Sequence, residues 1–225
     1  MNKKMLALFA VVALAVTSCK EETPSETSSS QVETTQAAPV EGTSYAVQAA
    51  DSKIQWEAGK LSGDKHDGTV NVKEGTLVLN EGKIVGGKVV IDMNSIAVTD
   101  ITDPEKRAML EGHLKGEGED AERQDHFFNV SKYPTATLDI SGVTEENEKT
   151  ILEGQLTIKG KSNPVKFPVT LTQTDEAVTL ASDAIVIDRT LWNVNYSSGS
   201  VVKDLAADKV INDEVKFTVS LVAKK

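Results

Sequence analysis

The feature of this sequence that most constrains its fold is an alternation of apolar and polar side chains. The alternation is clearest at residues 53–58 and 215–221, where every second residue is apolar. Because successive side chains of a β-strand point to opposite faces, each segment predicts a strand with one buried face. Weaker forms of the pattern recur at residues 69–72, 76–79, 88–92, 135–140, 151–158, 165–171, 177–180 and 184–188. The chain is therefore predicted to be all-β and antiparallel.

One segment departs from this alternation and predicts a short helix over residues 104–114. Asp103 suits the N-cap position, and Pro104 suits the first helical position because its fixed φ matches a helix. Apolar side chains then recur at helical spacing as far as Leu114. We expect this helix to be inserted between two strands. The pattern alone leaves a sandwich and a barrel both open.

The first 18 residues are predicted to be a signal peptide. Lys3 and Lys4 give a positive start, and residues 5–16 form an apolar run of 12. A helix needs about 20 apolar residues to cross a bilayer core, so this run is too short for a stable anchor and is typical of a secretory signal.

Cys19 is predicted to carry a lipid anchor. It is the only cysteine in the chain and directly follows Thr17 and Ser18, in a segment that resembles the lipobox where bacteria attach diacylglycerol to the thiol. A lone cysteine in an exported protein has no partner for an internal disulfide, so a lipid gives this residue a role. Residues 19–44 are otherwise rich in Ser, Thr, Glu, Gln and Pro, and we interpret them as the lipidated cysteine and a flexible tether.

The charge of the chain limits its partners. A formal net charge of −10 argues against nucleic acid and against charge-driven binding to anionic lipid, so membrane attachment is expected to depend on Cys19. Lys20-Glu21-Glu22 resembles an export signal for the outer face of the outer membrane, with ordinary linker charge as an equal alternative. We expect an outer-membrane lipoprotein exposed to the periplasm or to the cell surface.

The reactive side chains indicate neither an enzyme nor a metal site. His66, His113 and His126 are the only histidines, and their spacing matches no compact zinc motif. The sequence contains no Gly-x-Ser-x-Gly and no glycine-rich phosphate loop. Arg189 follows Asp188 near a predicted strand end, where it can pair with a carboxylate or reach a phosphate, and the carboxylate pair is favoured. No catalytic residue, metal or cofactor is predicted.

A series of short motifs gives the chain a resemblance to a known family. In chain order the motifs are Trp56 with Gly59-Lys60, Lys65-His66-Asp67-Gly68, Gly86 to Ile96, Leu110 to Leu114, Asp125 to Ala136, Gly154 to Gly160 with Pro164-Val165, Ile187 to Asn193, and Asp213 to Leu221. In this order and spacing they resemble the YceI-like family of polyisoprenoid-binding proteins, over residues 45–225.

The resemblance implies an extended antiparallel, lipocalin-like β-barrel of about eight strands around a long apolar tunnel, with the short helix inserted between strands. It also implies an exported protein that holds an isoprenoid lipid such as a quinone or a polyprenyl carrier. A barrel of about eight strands has an interior that side chains just fill or that holds one small ligand. Residues 115–124 form an acidic segment longer than the family pattern, so the family's choice of ligand is not carried over.

The predicted ligand-binding residues are apolar side chains expected to face the inside of the barrel. They are Trp56, Leu77, Leu79, Ile91, Leu138, Ile140, Leu156, Ile158, Phe167, Val169, Ile185, Phe217 and Val219. His66, His113 and Arg189 are predicted contacts for the polar end of the lipid. The alternative is that the same apolar residues pack a dry core.

The function that follows is the binding, storage or transport of an isoprenoid-type lipid in an apolar tunnel at the cell envelope. An envelope stress or adhesion module with a filled core is the alternative. A hydrolase or redox enzyme is a distant third, because no catalytic set of residues is present in the sequence. The expected partners are the lipid and the membrane reached through the anchor, and a homodimer stays open.

Overall fold

The structure is a computed structural model that describes residues 41–225. The predicted signal peptide, Cys19 and the tether before residue 41 lie outside the described residues. Within them the strands are β1 (Thr43–Val47), β2 (Lys53–Gly59), β3 (Lys65–Asn80), β4 (Lys83–Val98), β5 (Thr135–Glu146), β6 (Lys149–Ile158), β7 (Lys161–Gln173), β8 (Ala177–Ser182), β9 (Ile185–Asp188) and β10 (Glu214–Lys224). The helices are α1 (Pro104–Lys115) and α2 (Ala121–Asp125), with 3₁₀ helices at Ala49–Asp51, Arg189–Trp192 and Ala207–Lys209.

The ten strands close into a barrel with eight positions. From β2 to β8, each strand pairs antiparallel with the next one along the chain. β10 closes the ring because Phe217 pairs with Trp56 of β2, and Leu221 pairs with Leu180 of β8. β1 pairs with β10 and β3, the two neighbours of β2, so β1 and β2 occupy one position of the ring. β9 pairs with β10 beside β8, so β8 and β9 occupy another. The predicted antiparallel barrel of about eight strands with a short inserted helix is confirmed.

The long strand β3 corrects one detail of the predicted strands. The sequence predicts two short strands at residues 69–72 and 76–79, but β3 runs unbroken through both. Its pairing with β4 shifts register between Val72 and Glu74. Such a bulge moves the buried side chains to the other phase of the alternation, so the pattern breaks while the strand continues.

The two ends of the barrel differ in their connections. At one end, which we call the turn end, short turns join β3 to β4, β5 to β6 and β7 to β8. At the other, which we call the loop end, lie residues 60–64, 99–134 and 189–213, and these include both α-helices. β1 begins at the turn end, where Thr43 pairs with Leu79. The chain therefore enters the barrel opposite its irregular segments.

Helix α1 begins and ends at residues suited to those positions. The side chain of Asp103 accepts hydrogen bonds from the backbone N–H groups of Glu105 and Lys106, at 2.9 and 3.1 Å. Gly116 takes the left-handed conformation, with φ of 78°, just after the last helical residue. The helix predicted over residues 104–114 is present and extends one residue further.

Helix α2 was not predicted from the sequence. The acidic segment 115–124 contains the last residue of α1, a connection, and most of α2. Asp120 caps α2, because its side chain accepts a hydrogen bond from the N–H of Glu122 at 3.0 Å. The segment lies at the loop end, and its influence on ligand choice stays a prediction. Between residues 41 and 225, no helix has the length and apolar character needed to cross a membrane.

Candidate ligand-binding site

The half of the barrel nearest the loop end contains a cavity of about 180 Å³. Its wall is formed by inward-facing side chains of the strands, and its cover by residues of the loop-end connections. The strand residues include Ile54, Trp56, Ala58, Val70, Val89, Ile91, Met93, Ile96, Ala136, Leu138, Leu156, Ile158, Val165, Phe167, Ile185, Ile187, Val215, Phe217, Val219 and Leu221. The cover consists of Leu114, Phe127, Phe128, Arg189, Trp192, Val194 and Ile211.

The turn-end half of the barrel is packed instead of hollow. Leu77, Leu79, Ile140 and Val169 are all less than 9% exposed and belong to one core cluster with Tyr45. The Tyr45 hydroxyl lies 3.2 Å from the donor Nε2 of Gln173. None of these four side chains borders the cavity, so the cavity does not run through the turn end as the tunnel implied by the family resemblance would.

The cavity wall presents almost no polar group. Two tryptophans line it, and both indole N–H groups are already bonded to backbone carbonyls. Trp56 donates to Thr69 at 3.3 Å, and Trp192 donates to Leu156 at 2.8 Å. Because these donors are satisfied within the protein, they do not require a polar ligand. The site is suited to an apolar molecule with at most one polar end.

Arg189 is the one charged residue among the cavity-lining residues, and its side chain is 5% exposed. Its guanidinium donates to the carbonyls of Asn212, Val194 and Ile211 at 2.9, 2.6 and 3.1 Å. It also lies 3.5 Å from Oδ1 of Asp213, so the favoured carboxylate pair is present. Burial lowers the pKa of Arg189, against the opposing effect of Asp213 and Asp188. Arg189 therefore holds the loop-end connections together over the cavity.

One N–H of Arg189 is left over from these contacts. A guanidinium has five N–H donors, and four of them are used by the three carbonyls and Asp213. The described residues supply no acceptor for the second N–H of Nη1. The cavity wall itself exposes almost no polar surface, so this donor is not shown to face the cavity.

Lys159 is a second buried cation and lies next to the cover. Its side chain is 3% exposed, and Nζ lies 3.1 Å from a carboxylate oxygen of Asp125. Nζ also donates to the backbone carbonyls of Asp125 and Asn193, at 2.9 and 3.1 Å. The end of β6, helix α2 and the segment after the Arg189–Trp192 helix are thereby joined.

His66 does not line the cavity. Its side chain is 43% exposed, and Nδ1 lies 2.9 Å from Oδ2 of Asp100. Burial acts to raise the pKa of Asp100, but the hydrogen bond from His66 and backbone N–H donors outweigh it, so the pKa of Asp100 is lowered. The contact between His66 and Asp100 joins the start of β3 to the segment after β4.

His113 lies behind the cavity cover. Its Nε2 is 2.9 Å from Nδ1 of His126, and its ring packs edge-on against Phe127 and Tyr196. Burial lowers the pKa of His113, and the charge of Arg123 and the nearby His126 lower it further. Of the three predicted contacts for a polar end, only Arg189 therefore reaches the cavity.

The predicted lining residues fall into two groups. Nine line the cavity, namely Trp56, Ile91, Leu138, Leu156, Ile158, Phe167, Ile185, Phe217 and Val219. Four lie in the packed turn end, namely Leu77, Leu79, Ile140 and Val169. Apart from Arg189, the cover residues were not predicted as ligand-binding, because residues such as Phe127 and Trp192 lie outside the strands. The aromatic pair Phe127-Phe128 within a family-like motif was the available signal.

The described residues contain no group of three or more His, Cys, Asp or Glu side chains placed to hold a metal ion. His113 and His126 form a pair only with each other and with aromatic rings. The absence of a metal or cofactor in the working protein stays a prediction.

These features define a class of protein, a closed antiparallel barrel with an apolar cavity beneath a cover of helices and loops. The particular family follows from the sequence, because the YceI-like domain profile matches residues 45–223. The chain belongs to the YceI-like family. No curated protein matches the chain.

Solved structures that share this fold include the following two. BcnA of Burkholderia cenocepacia is 26% identical, with a TM-score of 0.55 over 79% of this chain and 99% of that one. A polyisoprenoid binding domain from Saccharophagus degradans, implicated in plant cell wall breakdown, is 15% identical, with a TM-score of 0.56 over 80% of this chain and 97% of that one. Both comparisons span nearly the whole of the related structure, so the similarity covers the full barrel.

Proposed function

We propose that the protein binds an isoprenoid-type lipid in the cavity and stores or carries it at the cell envelope. The observation that carries this proposal is the cavity of about 180 Å³ with an apolar wall. For comparison, an apolar cavity of about 150 Å³ in another protein stays dry and binds benzene, so the present cavity matches an apolar segment of about that size. Each buried CH₂ group contributes about 0.8 kcal/mol, so an apolar chain binds such a wall without any charged contact.

We infer that the single polar end of a ligand would lie near Arg189. Its unused N–H on Nη1 belongs to a residue of the cavity wall, and this donor suits a quinone carbonyl, a hydroxyl or a phosphate oxygen. All other polar atoms named above in the wall are bonded within the protein. A polar end near Arg189 would place the apolar chain deeper, toward Phe167 and Leu221.

The family supports the same ligand class. One member of this fold, from Saccharophagus degradans, is described as a polyisoprenoid binding domain. We infer that the present chain takes a related lipid, and that it does so as a binding protein without a catalytic step. Attachment to the outer membrane through Cys19 belongs to the same proposal, and it rests on the sequence alone.

A pair of substitutions on β6 tests whether the cavity is the binding site. Leu156 faces the cavity, whereas its neighbour Gln155 is exposed on the outer face. Leu156→Trp should fill the space and abolish uptake of a labelled polyprenol, while Gln155→Trp should bind it as the wild type does. The existing space limits the strain of the larger side chain, so overpacking should cost less than the usual ~1–3 kcal/mol. Equal uptake by both variants would contradict binding in the cavity.

A further inference from the structure

The exposed large apolar side chains of the described residues are confined to one part of the molecule. They are Leu61, Met109, Val186, Leu191, Val201 and Val202, with exposures of 66, 69, 49, 53, 48 and 38%. All six lie in the loop-end half of the barrel, on its connections or on β9. The turn end shows none of them. An uneven distribution of this kind marks an interaction surface, whereas scattered single residues would not.

Leu61, Val201 and Val202 project from one group of connected loops. The N–H of Leu61 donates to the carbonyl of Val210 at 3.1 Å. Ile211 forms bridges with both Lys60 and Ser198, and the N–H of Val202 donates to Ser198 at 2.9 Å. The loop after β2 and the segment before β10 are therefore joined through their backbones.

Leu191 adjoins the same group of loops. It lies on the 3₁₀ helix Arg189–Trp192, and Arg189 of that helix is bonded to the carbonyls of Ile211 and Asn212. We call Leu61, Leu191, Val201 and Val202 the apolar rim. These four side chains stand on connections above β2, β10 and β9, which are neighbours in the barrel.

The apolar rim adjoins a gap in the barrel wall. β9 pairs with β10 alone, and the part of β7 before Val169 pairs with β6 alone, so these two strands have no ladder between them. Cavity-lining residues stand on both sides of the gap, Val165 and Phe167 on β7, and Ile185 and Ile187 on β9. A hydrogen bond of 3.0 Å from Asn163 to the carbonyl of Leu191 crosses it.

The charges around the apolar rim indicate what it contacts. The surroundings are mixed in sign. Nζ of Lys60 lies 3.8 Å from a carboxylate oxygen of Asp64. Along the chain, Lys203 directly precedes Asp204, and Lys209 directly follows Asp208. With a net charge of −10 for the chain, binding by attraction to anionic lipid or nucleic acid is disfavoured. Apolar contact with a neutral lipid surface fits both the exposed side chains and the mixed charges.

We propose that the apolar rim docks on the surface of a phospholipid bilayer, with the wall gap beside it as the path of a lipid into the cavity. The docking itself is argued from exposure and position, and only the role of the gap rests on the proposed function. An isoprenoid chain is poorly soluble in water, so a binding protein must collect it where it already resides, in a membrane. A surface next to the cavity meets that requirement, and the turn end does not.

Single labelled cysteines test the docking in the full chain. Cys19 is the only cysteine, so Cys19→Ser leaves a background in which Leu61→Cys or Val201→Cys takes one environment-sensitive fluorophore. The matched controls are Met109→Cys, an equally exposed apolar site on α1, and Glu148→Cys in a turn at the turn end. The probe membrane is a vesicle of phosphatidylcholine without isoprenoid.

We expect the label at positions 61 and 201 to shift to the blue and brighten on addition of vesicles, while the labels at positions 109 and 148 stay as in water. Leu191→Asn in the labelled Val201→Cys protein should reduce the shift. Water-like emission at positions 61 and 201, or the same shift at position 109 or 148, would overturn docking by the apolar rim. The vesicles hold no isoprenoid, so a chain that docks but never takes up polyprenol refutes the proposed function alone.

Discussion

Arg189 both stabilises the cover and borders the cavity. Four of its donors hold backbone carbonyls or a carboxylate from segments 194–213, and the same side chain reaches the cavity wall. Lys159 performs a similar joining role on the other side of the cover, between Asp125 and Asn193. Both are buried cations that donate several hydrogen bonds within the protein, as buried charges require.

Replacing Arg189 should therefore destabilise the protein strongly. Arg189→Gln leaves the carbonyls of Val194, Ile211 and Asn212 short of donors and Asp213 without its cation, a change that costs about 3–5 kcal/mol when a buried pair is broken. The free energy of unfolding from urea titration measures this loss. Lys203→Gln, at an exposed site of the same end, should change it by under about 0.5 kcal/mol. A similar small change for Arg189→Gln would contradict the proposed structural role.

His113 predicts a pH dependence of stability. Its pKa is lowered in the folded protein, chiefly by burial, whereas an unfolded histidine keeps its usual value of about 6.5. Below that pH the unfolded chain binds a proton that folded His113 resists, so stability falls as the pH is lowered and is unaffected by this group well above pH 6.5.

The comparison of wild type with His113→Asn removes the titration of His113 together with its interaction with His126. The free energy of unfolding, measured between pH 8 and pH 5 in steps, should fall more steeply for the wild type as the pH drops below about 6.5. Parallel curves over the whole range would show that His113 is not held in its neutral form.

Residue by residue, the sequence predicts which side chains face inward but not how deep they lie. Alternation along a strand gives the face alone, so Phe167 and Val169 look alike although one lines the cavity and the other packs the turn end. The surroundings of His113 were also out of reach, since His126 and Tyr196 approach it only through the folding of separate loops.

At the scale of elements, a strand or helix boundary can be predicted from the sequence where a capping residue or a turn residue marks it. Asp103, Pro104 and Gly116 mark the ends of α1, and the helix was found from the first two of these. The bulge in β3 and the short helix α2 were missed, because each depends on pairing or packing that local periodicity does not contain.

Gly116 offers a test of this connection between α1 and α2. It has a positive φ, and a Cβ there would clash with the carbonyl oxygen of Gln124. Gly116→Ala should lower the free energy of unfolding by more than the ~1–2 kcal/mol of the left-handed conformation alone. Gly63→Ala is the matched control, since Gly63 also has a positive φ but open space around it. Equal losses in chemical denaturation would show that the connection relaxes around the added methyl group.

At the scale of the whole molecule, the barrel is divided into a packed turn end and a hollow loop end. The chain enters at the turn end through β1, and the cavity, the cover and the apolar rim lie at the loop end. The family resemblance predicted the barrel, but the packed turn end depends on how Tyr45, Leu77 and their neighbours fill the space. Strand number alone leaves a filled and a hollow interior both open.

Attachment of the whole molecule to the membrane through Cys19 is predicted from the sequence alone. Cys19→Ser removes the only thiol, so the mature-sized protein should leave the washed membrane pellet on cell fractionation, because one reversible docking surface holds less firmly than two or more acyl chains. A chain carrying Gly63→Ala with Cys19 intact should stay in the pellet. Full retention of the Cys19→Ser protein after washing would contradict lipid anchoring.

The most direct test of the lipid-binding function is to identify the lipid that is bound to the native protein. The full chain, purified from envelopes and extracted with organic solvent, is examined by mass spectrometry beside the Leu156→Trp protein. We predict an isoprenoid lipid in near-stoichiometric amount from the wild type and none from Leu156→Trp. A wild-type protein that yields no lipid, takes up none when offered it, and keeps its fold throughout would contradict the lipid-binding function.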